Sequence, residues 1–142
     1  MKKVGILFLL LSLISCNSSR KITRSKPLYE ILTSQEDGGA SIRFFEILSE
    51  EREIKMLQND VQLKNKINAI DTKNANFIIL NMGEKTTPGY YISVENMVET
   101  PTRIVITTKD NEPNSKLVEE KEVFYYPYTI VKINSKKEIV VK

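Results

Sequence analysis

The chain has 142 residues, with 21 Lys and Arg against 18 Asp and Glu, a formal net charge of +3, one Cys, no His and no Trp. A lone Cys excludes an internal disulfide, and the absence of His excludes His-ligated metal sites and Ser-His or Cys-His nucleophile pairs. No basic stripe interleaved with aromatics occurs, so nucleic acid is not expected as a partner.

Residues 1–15 read as processing information. Lys2 and Lys3 form a charged start, and Val4 to Ile14 an apolar core shorter than the roughly 20 residues that span a bilayer. Leu13-Ile14-Ser15-Cys16 resembles the bacterial lipobox. That resemblance implies cleavage before Cys16 and lipidation (diacylglycerol and palmitate) of its thiol, and it accounts for the only Cys of the chain. Residues 16–27, in which NSSRKITRSKP follows the cysteine, are polar and basic, as in a flexible tether. The membrane is thus an expected partner through a lipid anchor. The expected location is the bacterial cell envelope, at the periplasmic face of the outer membrane, since no acidic cluster follows Cys16. Loss of residues 1–15 removes Lys2 and Lys3 and leaves the remainder nearly neutral.

Residues 28–142 are long enough for one domain with its own core. Leu28 to Leu32 reads as a short strand, followed by a loop from Thr33 to Gly39 that carries the turn sequence Asp37-Gly38-Gly39. Ile42 to Leu48 reads as a second strand. Ser49-Glu50-Glu51 offers an N-cap with acids in the first turn, and Ile54, Leu57 and Val61 keep helical spacing, which predicts a helix over Glu50 to Asn59. Leu63, Ile67 and Ile70 extend it or form a second turn.

Asn76 to Glu99 organises the chain. Phe77-Ile78-Ile79-Leu80 is an apolar run without polar alternation, as in a central strand covered on both faces, and it should be among the most buried segments. After the Gly/Thr/Pro-rich stretch Gly83 to Tyr90, the residues Tyr90, Ile92 and Val94 alternate with Tyr91, Ser93 and Glu95, which predicts a hairpin of two strands. A connection longer than a tight hairpin needs, mounted on a rigid sheet, is a candidate binding surface. Thr102 to Lys109 is rich in β-branched residues and reads as a strand; Asp110 to Ser115 reads as a loop. Leu117 to Tyr126 has a mixed pattern. Tyr128 to Ile133 and Ile139 to Val141 read as strands, separated by a turn at Asn134 to Lys137. Pro127 places the first of these at an edge or makes it start afresh. The expected fold is α+β, an antiparallel sheet of about six strands with one helical segment on its N-terminal side.

An apolar strand followed by Gly83, Thr87, Gly89 and Tyr90, and then by Pro127-Tyr128, resembles the C-terminal domain of the PrcB family, with its G-x-x-x-T-G-G-Y and later P-Y signature. The chain departs from that signature at Pro88, where the family has the first glycine of the pair, and at Thr86. Pro88 fixes φ near −65° and lacks an N–H, so no left-handed conformation is open to it. The resemblance implies an accessory or stabilising subunit of an exported bacterial protease complex, with an exported protease or another envelope protein as partner. Thr86-Thr87-Pro88-Gly89-Tyr90 is also similar to the T-T-G-Y loop of chagasin-type cysteine-protease inhibitors, a family that uses an R-P-W-type loop as well; this chain has no Trp. A structural envelope lipoprotein is the third reading.

Neighbouring acids such as Glu50-Glu51 and Glu119-Glu120 splay apart in either secondary structure and do not make an acid–base pair. No phosphate-binding Gly loop is present. The expectation is a non-enzymatic protein-binding chain with no catalytic residues, no metal and no cofactor. Lipid attaches at Cys16, and a partner contacts Lys85, Thr86, Thr87, Pro88, Gly89 and Tyr90.

Overall fold

The computed structural model describes residues 26–114 and 123–142. The readings of the signal segment, of Cys16, of the tether as far as residue 25, and of residues 115–122 lie outside the described residues. Among the described residues seven strands form: β1 (Tyr29–Gln35), β2 (Arg43–Leu48), β3 (Asn76–Met82), β4 (Tyr91–Glu99), β5 (Arg103–Asn111), β6 (Tyr128–Ile133) and β7 (Glu138–Val141). Between β2 and β3 lie α1 (Glu51–Leu57), a single 3-10 turn (Val61–Leu63) and α2 (Asp71–Asn74).

The fold is α+β and mainly β. Its strands divide between two sheets, one ordered β1-β6-β3-β2 and the other β4-β5-β7. All pairs are antiparallel except β5 with β7, which is parallel. β3 and β4 are therefore not a hairpin. They stand in different sheets, and the Gly83–Tyr90 segment crosses from one to the other. β6 starts immediately after Pro127, as that residue requires, but runs in the sheet interior between β1 and β3.

The reason is the distribution of apolar faces. Phe77 packs with Leu32, Leu48, Ile54, Leu63, Ile67, Ala75 and Ile130 on one side of the first sheet. Ile78, Leu80 and Met82 pack with Ile92, Ile104, Ile106, Val131 and Ile133 on the other. The four-stranded sheet is thus the middle of three layers, with the helical segments on one face and the second sheet on the other. β3 meets the expectation of a strand covered on both faces, with Phe77, Ile78 and Leu80 fully inaccessible. Ile79 is only half-buried, at the edge of the helical layer.

α1 begins one residue later than predicted from Ser49. Glu50 is the cap, in extended conformation, and exchanges bonds with Glu53 in a capping box. Ile54 points into the core and Lys55 pairs with Glu51 one turn back at 2.8 Å. Leu63 and Ile67 do not extend α1. The turn at Asp60, whose carboxylate accepts from the Gln62 N–H at 2.8 Å, ends the helix and redirects the chain. β1 continues through Thr33 to Gln35 and β5 through Asn111, each beyond its predicted end.

Candidate functional site

The Gly83–Tyr90 segment leaves the end of β3 beside the start of β2. Gly83 has φ +80°, and a Cβ there would stand 3.0 Å from the Arg43 nitrogen; only glycine takes that conformation at that approach without strain. Gly89 has φ +89° and lies against Pro113. The left-handed positions therefore fall on the two glycines that Pro88 separates, and the proline itself is asked for none.

Two other stretches hold the segment. The Glu84 N–H donates to the Ser41 carbonyl at 3.0 Å, and the Met82 N–H to that of Pro127 at 3.0 Å. Lys85 and Tyr125 exchange two backbone bonds of 2.8 Å. The Tyr126 hydroxyl donates to the Glu84 carboxylate at 3.1 Å. Gly39 N–H donates to the Tyr126 carbonyl at 2.9 Å, and Ala40 N–H to the buried Asn81 side chain at 3.0 Å. Three chain segments are thereby fastened at one end of the first sheet.

Of the six residues expected to meet a partner, Thr86 alone is exposed; Lys85, Thr87, Pro88, Gly89 and Tyr90 are half-buried. The Lys85 ammonium lies 5.5 Å from the centre of the Tyr90 ring, within cation–π range. Tyr90 packs against the core between the sheets, and Tyr91 points outward. The segment is a ledge fastened at Glu84 and Lys85, with Thr86 exposed directly after them. Sequence reading missed Asn81, Glu84 and Tyr126 as its supports. Asn81 lies in an apolar strand, and Tyr126 is 42 residues from Glu84, so only the folded chain brings them together.

Withdrawal from water, and then the Glu84 carboxylate, hold the Tyr126 phenol above the usual tyrosine range; burial raises Tyr128 in the same direction. A phenol whose folded pKa is raised binds its proton longer in the native state than in the unfolded chain. Stability is then unaffected below the unfolded value of about 10 and falls as pH rises through the folded one. Thermal melts should show that alkaline loss in the wild type and a shallower one in Tyr126→Phe; identical slopes would remove Tyr126 from the account.

Among the described residues no group of three or more His, Cys, Asp or Glu is placed to hold a metal ion. No helix among them is long and apolar enough to cross a membrane. The Gly83–Tyr90 ledge, its support at Tyr125 to Pro127 and the strands between them form one stretch of chain, and it is this stretch that is similar to a known family. Residues 76–134 match the PrcB C-terminal family. The PrcB C-terminal match runs from β3 through β6, so it takes in strands of both sheets and the whole crossing segment. The resemblance carried by Gly83, Thr87, Gly89, Tyr90 and Pro127-Tyr128 is met by it. The family is one of protease-complex accessory proteins. No curated protein and no solved structure gives a significant match.

Proposed function

We propose that the chain is a non-enzymatic lipoprotein, anchored through Cys16 in the bacterial cell envelope, whose β-rich part docks a protein of an exported protease complex. The observation that carries this reading is the PrcB C-terminal match over the segment that builds the ledge. A backbone fastened at Glu84 and Lys85, immediately before the exposed Thr86, suits recognition, because fixing that end in advance lowers the conformational entropy lost when a partner seats on it. The chain has no His, and the carboxylates near the ledge are engaged: Glu84 accepts from Tyr126, and Asp110 pairs with Arg43 at 2.6 Å. The lipid places such a subunit beside partners at the membrane, on its periplasmic face.

The test is co-purification of the full chain from native membranes, wild type against a Lys85/Thr86/Thr87 triple alanine variant. Lys85 stacks on Tyr90, so equal melting temperatures must be shown first. A protease activity should accompany the wild type and fall at least tenfold with the variant. The mass of the same purified chain should show a lipid-modified Cys16 at its start. Equal recovery of the activity with both chains would move docking away from the ledge, and an unmodified Cys16 within an intact leader would remove the anchor.

A further inference from the structure

The two sheets leave four strands at edges: β1, β2, β4 and β7. Three carry features that discourage pairing with another chain. β1 shifts register between Ile31 and Thr33, and β4 between Val94 and Asn96. β7 is four residues long and flanked by Lys136, Lys137 and Lys142. Bulges, short length and flanking lysines are recognised protections of sheet edges. β2 has no bulge and is six residues long; its two charged residues are Arg43, which is paired with Asp110 on the face away from the helical layer, and Glu46. It pairs with β3 from Arg43 to Leu48 without a register shift, and Ile42, Phe44 and Ile47 are exposed at 67, 39 and 40 %.

The space beside β2 is chemically one-sided. Phe44, Glu46 and Leu48 face the helical layer, where two adjoining grooves of about 300 and 350 Å³ share Glu46, Leu57 and Asp60. Phe44, Ile79, Tyr128 and Ile130 make the apolar floor of one; Glu53 and Met56 edge the other. Three carboxylates (Glu46, Glu53 and Asp60) border these grooves, and among the described residues no Lys or Arg lines either, in a chain with a net positive charge. Burial and the nearby Asp60 charge both favour the neutral form of Tyr128 on that floor.

We propose that β2 is a docking edge for an extended segment of a partner protein, added as a fifth strand, with Lys or Arg at alternate positions. Main-chain bonds along the regular edge supply the pairing. In a strand every second side chain falls on one face, so the basic ones lay their methylene stems on Phe44 and Leu57 and bring their charges to Glu46 and Asp60. β2 lies outside residues 76–134, so this inference stands apart from the ledge.

A labelled peptide of three Lys-Val repeats, titrated into the full chain in detergent, tests it. Binding should be at least tenfold tighter than for a Glu-Val peptide or for the same Lys-Val peptide with a central proline, and should weaken as salt is raised. Glu46→Lys should lose at least tenfold for Lys-Val and gain for Glu-Val. Ile47→Lys, which puts a charge on the opposite face of the edge, should weaken both. The Lys85/Thr86/Thr87 variant should bind the peptide as the wild type does, which keeps this result separate from the ledge. Equal affinity for all three peptides, or binding unchanged in Glu46→Lys, overturns the proposal. So does a wild-type dimer that Ile47→Lys splits and that takes up no peptide, since a second copy then holds the edge.

Discussion

Phe77→Ala should lower the unfolding free energy by about 3–5 kcal/mol, the range for removing a fully buried aromatic side chain. Phe77 is wholly inaccessible, on a strand with neighbours on both sides, and its cluster joins the first sheet to the helical segments. Those segments are short, the longer helix having seven residues, and helices of that length draw their stability from packing more than from propensity. The ring is therefore, with Leu32, Leu48 and Ile130, an attachment for a layer that has little stability of its own. A small protein is stable by only about 5–15 kcal/mol in total, so the variant should melt far below the wild type and expose its helical layer to proteolysis first. Phe77→Leu, which keeps most of the volume, should lose less. Ile79→Ala, two residues on but half-buried, should fall short of the loss at Phe77. Urea unfolding of all three separates the cases; equal losses at positions 77 and 79 would contradict the layer assignment.

The second large effect is electrostatic. Asp71, at the start of α2, has its side chain 1 % exposed, and its carboxylate lies 3.7 Å from the Lys132 ammonium, itself 6 % exposed. Glu30 reaches the same ammonium at 2.7 Å from a half-exposed position, and Lys26 approaches Asp71 at 3.5 Å. Asp71 also accepts from the Asn68 N–H at 3.0 Å, while its own N–H donates to the Asn68 side chain at 3.0 Å. Asp71→Ala removes a counter-ion from a buried lysine, a change that costs about 3–5 kcal/mol when one member of a buried pair is left. Glu30 still neutralises Lys132, which places the expected loss at about 3 kcal/mol. Asp71→Asn keeps an oxygen for the Asn68 N–H and removes the charge, so its own loss relative to the wild type reports the ionic part, and the further loss in Asp71→Ala reports the hydrogen bond and the packing. Asp71→Ala combined with Lys132→Met should cost less than the two single changes added, because the buried charge leaves with its partner. Additive losses would show that the two side chains do not interact.

Much of the chain was legible from residue spacing because its elements satisfy local rules. The apolar run at Phe77 to Leu80, the β-branched run in β5, the turn at Asn134 and the helical spacing of Ile54 and Leu57 each follow from what a strand, turn or helix buries. The motif at Gly83, Thr87, Gly89 and Tyr90 was also legible, since left-handed backbone at Gly83 and Gly89 needs residues that sequence displays directly. The length of the connection between β3 and β4 admitted a hairpin, and period-two patterning says which face is apolar but never which strand lies alongside.

What the tertiary structure alone decided is partnership. β3 pairs with β2 and β6, not with β4, because its two apolar faces need two separate covers, and β4 with β5 supplies one of them. β7 runs parallel to β5, and β6, which lies between them in the chain, belongs to the other sheet. Lys132 alternates like a solvent-facing residue and is buried, since Asp71, 61 positions earlier, meets it inside. The α2 turn is too short to show a period at all. Local chemistry determined the elements of this protein and the glycines of its ledge. The sheet order, the buried ion pair and the exposed edge of β2 arose from contacts between residues far apart in the chain, whose energy exists only once the layers close.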